Sequence, residues 1–152
     1  YAAFPLELAY KVAHENEPSE ALFAVLTEGL ATLDTGQGDA RLQACRLAWR
    51  LLEVAGFAPA LEYCSVCGVD MAVPSGFSRT GGAVCAACGT GRRLEAAVWN
   101  VLCAFAGADR CPASGAAVSG EVFTLLWQYA QHQLEPDFRS VRVALDMFGG
   151  AQ

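Results

Sequence analysis

The chain has 152 residues, 54% of them hydrophobic and 17% charged, with 15 Gly, 6 Pro and 7 Cys. This balance suits one compact domain with a small appendage and excludes a disordered segment. The longest uncharged stretches, Ala96–Ala108 and Val122–Leu134, are 13 residues each and contain Asn100, Gln128, Gln131 and His132. A bilayer span needs about 20 apolar residues, so no membrane segment is expected. The formal charge of −6 sits in residues 1–40, which hold seven acids and one base, while residues 41–152 balance nine against nine. Strong nucleic-acid binding needs an excess of Lys and Arg to displace counterions, so a strand-coating module is not expected. With only His14 and His132, and no G-x-S-x-G, P-loop or H-E-x-x-H pattern, the chain is not expected to be an enzyme. Tyr1 follows neither an initiator Met nor a leader pattern, and the chain reads as a fragment.

The 3.6-residue period predicts a short helix over Phe4–Val12. Asn16-Glu17-Pro18 offers a cap, a dipole-matching acid and a first-turn Pro for a second helix, Ser19–Leu33, with Leu22, Phe23, Leu26, Leu30 and Leu33 on one face. A polar loop, 34–39, follows, and Asp39 can cap a third helix whose stripe is Leu42, Cys45, Trp49 and Leu52, with Gly56 in the left-handed position after Ala55. Its other face carries Arg41, Arg46 and Arg50.

From Phe57 to Arg93 the helical period vanishes and Gly and Cys become dense, with short strands expected at Ala72-Val73, Phe77-Ser78 and Ala83-Val84. Helical reading resumes at Leu94, with Val98, Val101, Leu102 and Phe105 on one side and Gly107 at the end. Ser119 is the expected cap of a helix over Gly120–Gln133, and a last helix is expected from Ser140, with Val141, Leu145 and Phe148. The expected architecture is mainly α: a helical domain in two parts, 1–56 and 94–152, interrupted by a small ribbon, 57–93.

That ribbon holds the chemistry. Cys64-Ser65-Val66-Cys67-Gly68 and Cys85-Ala86-Ala87-Cys88-Gly89 are two C-x-x-C knuckles 17 residues apart, the spacing of a four-cysteine zinc site. Two intervening residues let both thiolates of a tight turn face one ion, and the following Gly permits the turn. Four thiolates leave no open position, so one structural Zn2+ is expected at Cys64, Cys67, Cys85 and Cys88. A segment whose sizeable apolar groups are only Val66, Met71, Val73, Phe77 and Val84 needs such help to fold. A disulfide pair or redox motif fits less well, because a redox C-x-x-C opens a helix beside a sheet and occurs once. The tetrad also points to a reducing, cytosolic setting.

The other candidates are weaker. Cys45 and Cys103 fall on apolar helix faces and Cys111 in a loop, and core packing or an ordinary thiol explains them. His14 and His132 read as solvated side chains. Arg79, Arg92 and Arg93 stand beside the knuckles and either meet phosphates or remain solvated. Arg139 and Arg142, beside Phe138 and Val141, either form a patch for an acidic, hydrophobic peptide or balance Asp137 and Asp146.

With these residues in view, the chain resembles the C-terminal part of the bacterial RecO recombination mediators over nearly its whole length. The most specific stretch is Leu47-Ala48-Trp49-Arg50-Leu51-Leu52-Glu53-Val54-Ala55-Gly56-Phe57-Ala58-Pro59-Ala60-Leu61 running into the first knuckle. Gly81-Gly82-Ala83-Val84 before the second knuckle, and Glu17-Pro18-Ser19-Glu20-Ala21-Leu22-Phe23 upstream, carry the rest, with Ser19 where the family usually has Asn. The resemblance implies a helical domain with an inserted zinc finger, preceded in the intact protein by an oligonucleotide-binding barrel that is absent here. It implies a non-catalytic DNA repair role in the bacterial cytoplasm, at the nucleoid during repair. It further implies binding to single- and double-stranded DNA, mainly through that barrel, strand annealing, contact with RecR, and capture of the acidic tail of single-stranded-DNA-binding protein so that RecA gains the strand. A zinc-ribbon adaptor or transcription-associated module shares the tetrad and stays open as the alternative.

Overall fold

The computed structural model describes residues 1–13, 19–71, 74–89, 91–107 and 112–134. Among them lie helices α1 (Ala3–Val12), α2 (Glu20–Asp34) and α3 (Ala40–Val54), strands β1 (Gly76–Ser78) and β2 (Gly82–Val84), and helices α4 (Ala96–Gly107) and α5 (Ala116–Leu134). The expected mainly helical class with a small cysteine-bearing sheet is observed. Among the described residues, no helix is long and apolar enough to cross a membrane.

Helix α3 is the axis of the fold because apolar residues cover most of its circumference. Leu42, Cys45, Trp49 and Leu52 are buried as expected, and Ala44, Leu47, Ala48 and Leu51 are buried beside them, so α3 packs against α1, α2, α4 and α5. Trp49 meets Phe105 of α4 at 6.1 Å between ring centroids. Phe4 of α1 meets Phe123 of α5 edge to face at 5.5 Å. One core cluster therefore draws on helices from both sides of the cysteine-bearing segment.

Both ends of α3 are set locally. The Asp39 carboxylate accepts from the Arg41 and Leu42 amides at 2.9 and 3.2 Å. At the other end Gly56 takes φ +78, its N–H donates to Glu53 O, and the Phe57 N–H reaches Leu52 O at 2.7 Å, a Schellman closure. Asp39→Ala, which leaves two first-turn amides without their acceptor, is expected to lower the urea unfolding free energy by about 1 kcal/mol; an unchanged midpoint and slope contradict this cap.

Several boundaries differ from the sequence expectation. The α2 cap is Ser19, whose Oγ accepts from the Leu22 amide at 3.2 Å, and the helix starts at Glu20; Asn16, the expected cap, lies outside the described residues. The expected α2 stripe is shallower than its period suggests, since Val25 is the buried residue and Leu22, Leu26, Leu30 and Leu33 pack only at the edge of the core. Phe23 leaves it altogether, at 69% exposure. Helix α4 begins at Ala96, two residues after Leu94. Helix α5 begins at Ala116, so Ser119 is not a cap but a buried interior residue whose hydroxyl donates to Ala116 O at 3.1 Å. Such back-bonding satisfies a hydroxyl without ending the helix. Cys45 is buried as expected, whereas Cys103 faces outward because α4 packs on the side of Val98, Val101, Leu102 and Phe105. The Ala72-Val73 strand, Cys111, His14 and the helix from Ser140 lie outside the described residues.

The small sheet pairs Gly76 with Val84, Phe77 with Ala83 and Ser78 with Gly82, antiparallel. Phe77 also exchanges two backbone hydrogen bonds of 2.8 Å with Arg92. On the other edge Ala60 bonds to Gly81 O and receives the Ala83 amide. Gly82 has φ +112, and a Cβ there would collide with Ala60 O, so this approach requires glycine. Phe77 is buried and meets Tyr129 of α5 edge to face at 5.9 Å, which anchors the sheet on the helices.

Candidate metal centre and neighbouring surfaces

The two knuckles are built by identical local logic. In the first, Gly68 N–H donates to Cys64 O at 2.8 Å, and in the second Gly89 N–H donates to Cys85 O at 3.1 Å. The glycines hold φ +73 and +54, values that cost any side-chain-bearing residue strain. Ser65 N–H reaches Ala83 O and Cys64 N–H reaches Val69 O, both at 2.8 Å, which brings the knuckles face to face.

The result is one thiol from each of Cys64, Cys67, Cys85 and Cys88, with all four sulfurs within 4.8 Å of one another. Cys67 and Cys85 sulfurs are 3.8 Å apart. A tetrahedral site with metal–sulfur bonds of about 2.3 Å has sulfur–sulfur edges of about 3.8 Å, and a disulfide needs about 2.05 Å. The four thiols are therefore positioned to bind a metal ion, as the spacing predicted. Cys64 is buried, Cys85 and Cys88 are half-buried, and Cys67 is exposed.

The electrostatics set two of the four thiols apart. The Cys67 backbone amide, followed by that of Cys85, pulls the Cys64 thiol down to about 6; the Cys85 N–H lies 3.4 Å from Cys64 Sγ. Hydrogen bonds that the Cys88 thiol donates to the Cys67 and then the Cys85 sulfur hold it protonated, pushed up to about 12. At neutral pH the metal-free site thus has a thiolate ready at Cys64 and a proton to displace at Cys88. Because binding releases that proton, affinity must rise with pH, by about tenfold per unit for each proton released. Competition titration with a chromophoric chelator between pH 6.5 and 8 is expected to show that rise; a flat profile contradicts it.

The arginines divide. Arg79 and Arg92 line one notch of about 480 Å³ between the β1–β2 turn and α5, together with His132. Arg93 is exposed and outside that lining. Arg139 and Arg142 lie outside the described residues. A second pocket, of about 560 Å³, opens between α2 and α3 and is lined by Arg46 and Arg50. The i, i+4 spacing of these two on the polar face of α3 was visible in the sequence; that α2 walls them into a pocket was not.

The whole of residues 1–142 matches the family model described as "Recombination protein O C terminal". Among similar proteins, DNA repair protein RecO of Thermobifida fusca is 36% identical over 152 residues, covering 91% of this chain and 59% of that protein. DNA repair protein RecO of Pelotomaculum thermopropionicum is 38% identical over 89 residues, 58% of this chain and 34% of that protein. The corresponding Synechococcus protein is 32% identical over 101 residues, 64% of this chain and 34% of that protein. The chain thus spans about three fifths of the length of its Thermobifida relative. It belongs to the family of recombination protein O C-terminal regions.

Proposed function

We propose that this chain is the partner-binding, DNA-supporting portion of a recombination mediator that works in the cytoplasm by binding exchange, without catalytic turnover. Residues 1–56 and 94–152 are the two parts of one helical domain, and 57–93 is a ribbon held by one structural Zn2+. Four thiolates suit zinc, and a closed shell gives it a folding role rather than a hydrolytic one. The intact protein would add DNA contacts, contact RecR, and help RecA replace the protein that coats single strands.

The observation that carries the partner reading is Arg46. Its Nη1 is buried and has no hydrogen-bond partner among the described residues, although Arg46 lines a pocket whose walls include Val25 and Leu47 and the amides Gln37 and Gln43. A guanidinium nitrogen without an acceptor, set beside apolar surface, suits a carboxylate attached to an apolar side chain. That is the chemistry of an acidic, hydrophobic tail such as that of single-stranded-DNA-binding protein. Glu28 also lines the pocket, but Arg46 and Arg50 outnumber it. The larger groove of about 1000 Å³ beside α1 and α2 is mostly apolar, with Glu20 and no basic residue among the described residues that line it, and offers such a tail no cation.

Titration of the zinc-loaded chain with a peptide ending in acidic and apolar residues is expected to saturate. Arg46→Gln is expected to weaken it about tenfold or more, the equivalent of one charge-assisted hydrogen bond of about 1.5–3 kcal/mol. Equal affinity in wild type and variant overturns this placement.

A further inference from the structure

We propose that the notch between the β1–β2 turn and α5 is a phosphate-binding site that grips the backbone of a nucleic-acid strand. Arg79 and Arg92 enter it from the ribbon and His132 from α5, with no acid in the lining, in a chain whose formal charge is −6. Two arginines brought to one concavity with a histidine from a segment 40 to 53 residues away oppose the overall charge of the molecule. Ser78, Thr80 and Gln128 add neutral donors. Phe77 and Leu125, each 3% exposed, form the floor, and an apolar floor strengthens the charges above it.

The notch is preformed. Gln133 Nε2 donates to the carbonyls of Arg79 and Thr80 at 3.2 and 2.9 Å, which fixes the turn against α5. Ser78 and Thr80 hydroxyls lie 2.7 Å apart, and the Thr80 N–H donates to Ser78 Oγ at 3.2 Å. Arg92 Nη2 donates to Glu121 Oε1 at 2.9 Å, a bond that engages one of the five N–H donors of the guanidinium and leaves Glu121 as a competitor for the incoming anion. A phosphate offers several acceptor oxygens in different directions and matches donors converging from two elements. The walls are hydroxyl, amide and guanidinium groups, which give the apolar end of a peptide tail little to bury. This site is separate from the Arg46 pocket, although its biological use rests on the reading that the chain works beside a DNA strand.

The test uses the zinc-loaded chain and a labelled 20-nucleotide oligothymidylate across a salt series. Arg79→Gln is expected to weaken binding about three- to tenfold and to reduce the slope of log affinity against log salt by about 0.7. Arg93→Gln removes the same charge outside the notch and is expected to change both less. Glu121→Gln, which releases Arg92, is expected to tighten binding about two- to fivefold. A merely structural role for the Arg92–Glu121 pair predicts a loss instead. Equal effects of Arg79→Gln and Arg93→Gln, or no gain from Glu121→Gln in a chain with an unchanged melting profile, overturn the notch. Binding of inorganic phosphate, seen by phosphorus NMR, without binding of the oligonucleotide overturns the strand as its source. Saturable peptide binding in any of these cases shows that the notch has failed and the partner platform has not.

Discussion

Removing the proposed zinc from the four-cysteine centre is expected to unfold the ribbon while most of the helical circular dichroism signal persists. The ribbon has little else to hold it: β1 and β2 are three residues each, and Val66 and Val69 are exposed at 58% and 51%. A four-thiolate zinc site contributes on the order of 10 kcal/mol or more at neutral pH, more than so small a core can replace. The helices differ, because their core of buried residues runs through α1, α3, α4 and α5. They would still register the loss. Phe77 packs on Tyr129, and Arg92 pairs with Glu121 of α5 at 2.9 Å, so the melting temperature of the helical part is expected to fall as that face becomes wet. Cys64→Ser, which removes the buried ligand, should reproduce the chelated state. Loss of all helical signal in step with metal release contradicts this division.

Trp49→Ala is expected to be the most damaging single change in the helical part. Trp49 is 1% exposed at the centre of the helix that touches the four other described helices, and deleting so large a side chain leaves a cavity costing about 3–5 kcal/mol. Small domains have about 5–15 kcal/mol in total, so this variant should be partly unfolded near physiological temperature. The indole Nε1 is buried without a hydrogen-bond partner among the described residues, which implies that packing rather than hydrogen bonding makes the residue necessary. Trp49→Phe, which removes that orphan donor and part of the volume, should therefore cost about 2 kcal/mol or less. Chemical denaturation of both variants checks the pair; a Phe variant as damaged as the Ala variant contradicts the packing account.

The parts of this molecule legible in the sequence are those whose cause is local. The Cys64–Cys67 and Cys85–Cys88 knuckles announce themselves because ligand spacing and turn glycines lie within five residues. Asp39 and Gly56 mark the ends of α3 for the same reason. Where two local solutions compete, the sequence is ambiguous: Asn16 and Ser19 are both good caps, and Ser119 reads as one until its hydroxyl is seen bonding back to Ala116. Burial was harder. Phe23 and Cys103 sit among apolar residues in sequence, yet nothing in that pattern says that α2 and α4 each have only one side covered. The two candidate binding pockets were hidden for a third reason. The Arg46 pocket exists only because α2 packs beside α3, and the notch joins Arg79 to His132 across the ribbon and α5. Neither residue of that pair signals the other along the chain.

The central claim, that the α2–α3 face receives an acidic partner tail, is tested most directly by hydrogen–deuterium exchange of the zinc-loaded chain with and without the acidic, apolar peptide. Protection is predicted within residues 25–50, around Arg46 and Arg50, with no change in the α1–α2 groove near Tyr10. Protection centred on that groove, or none at saturating peptide, would contradict the account.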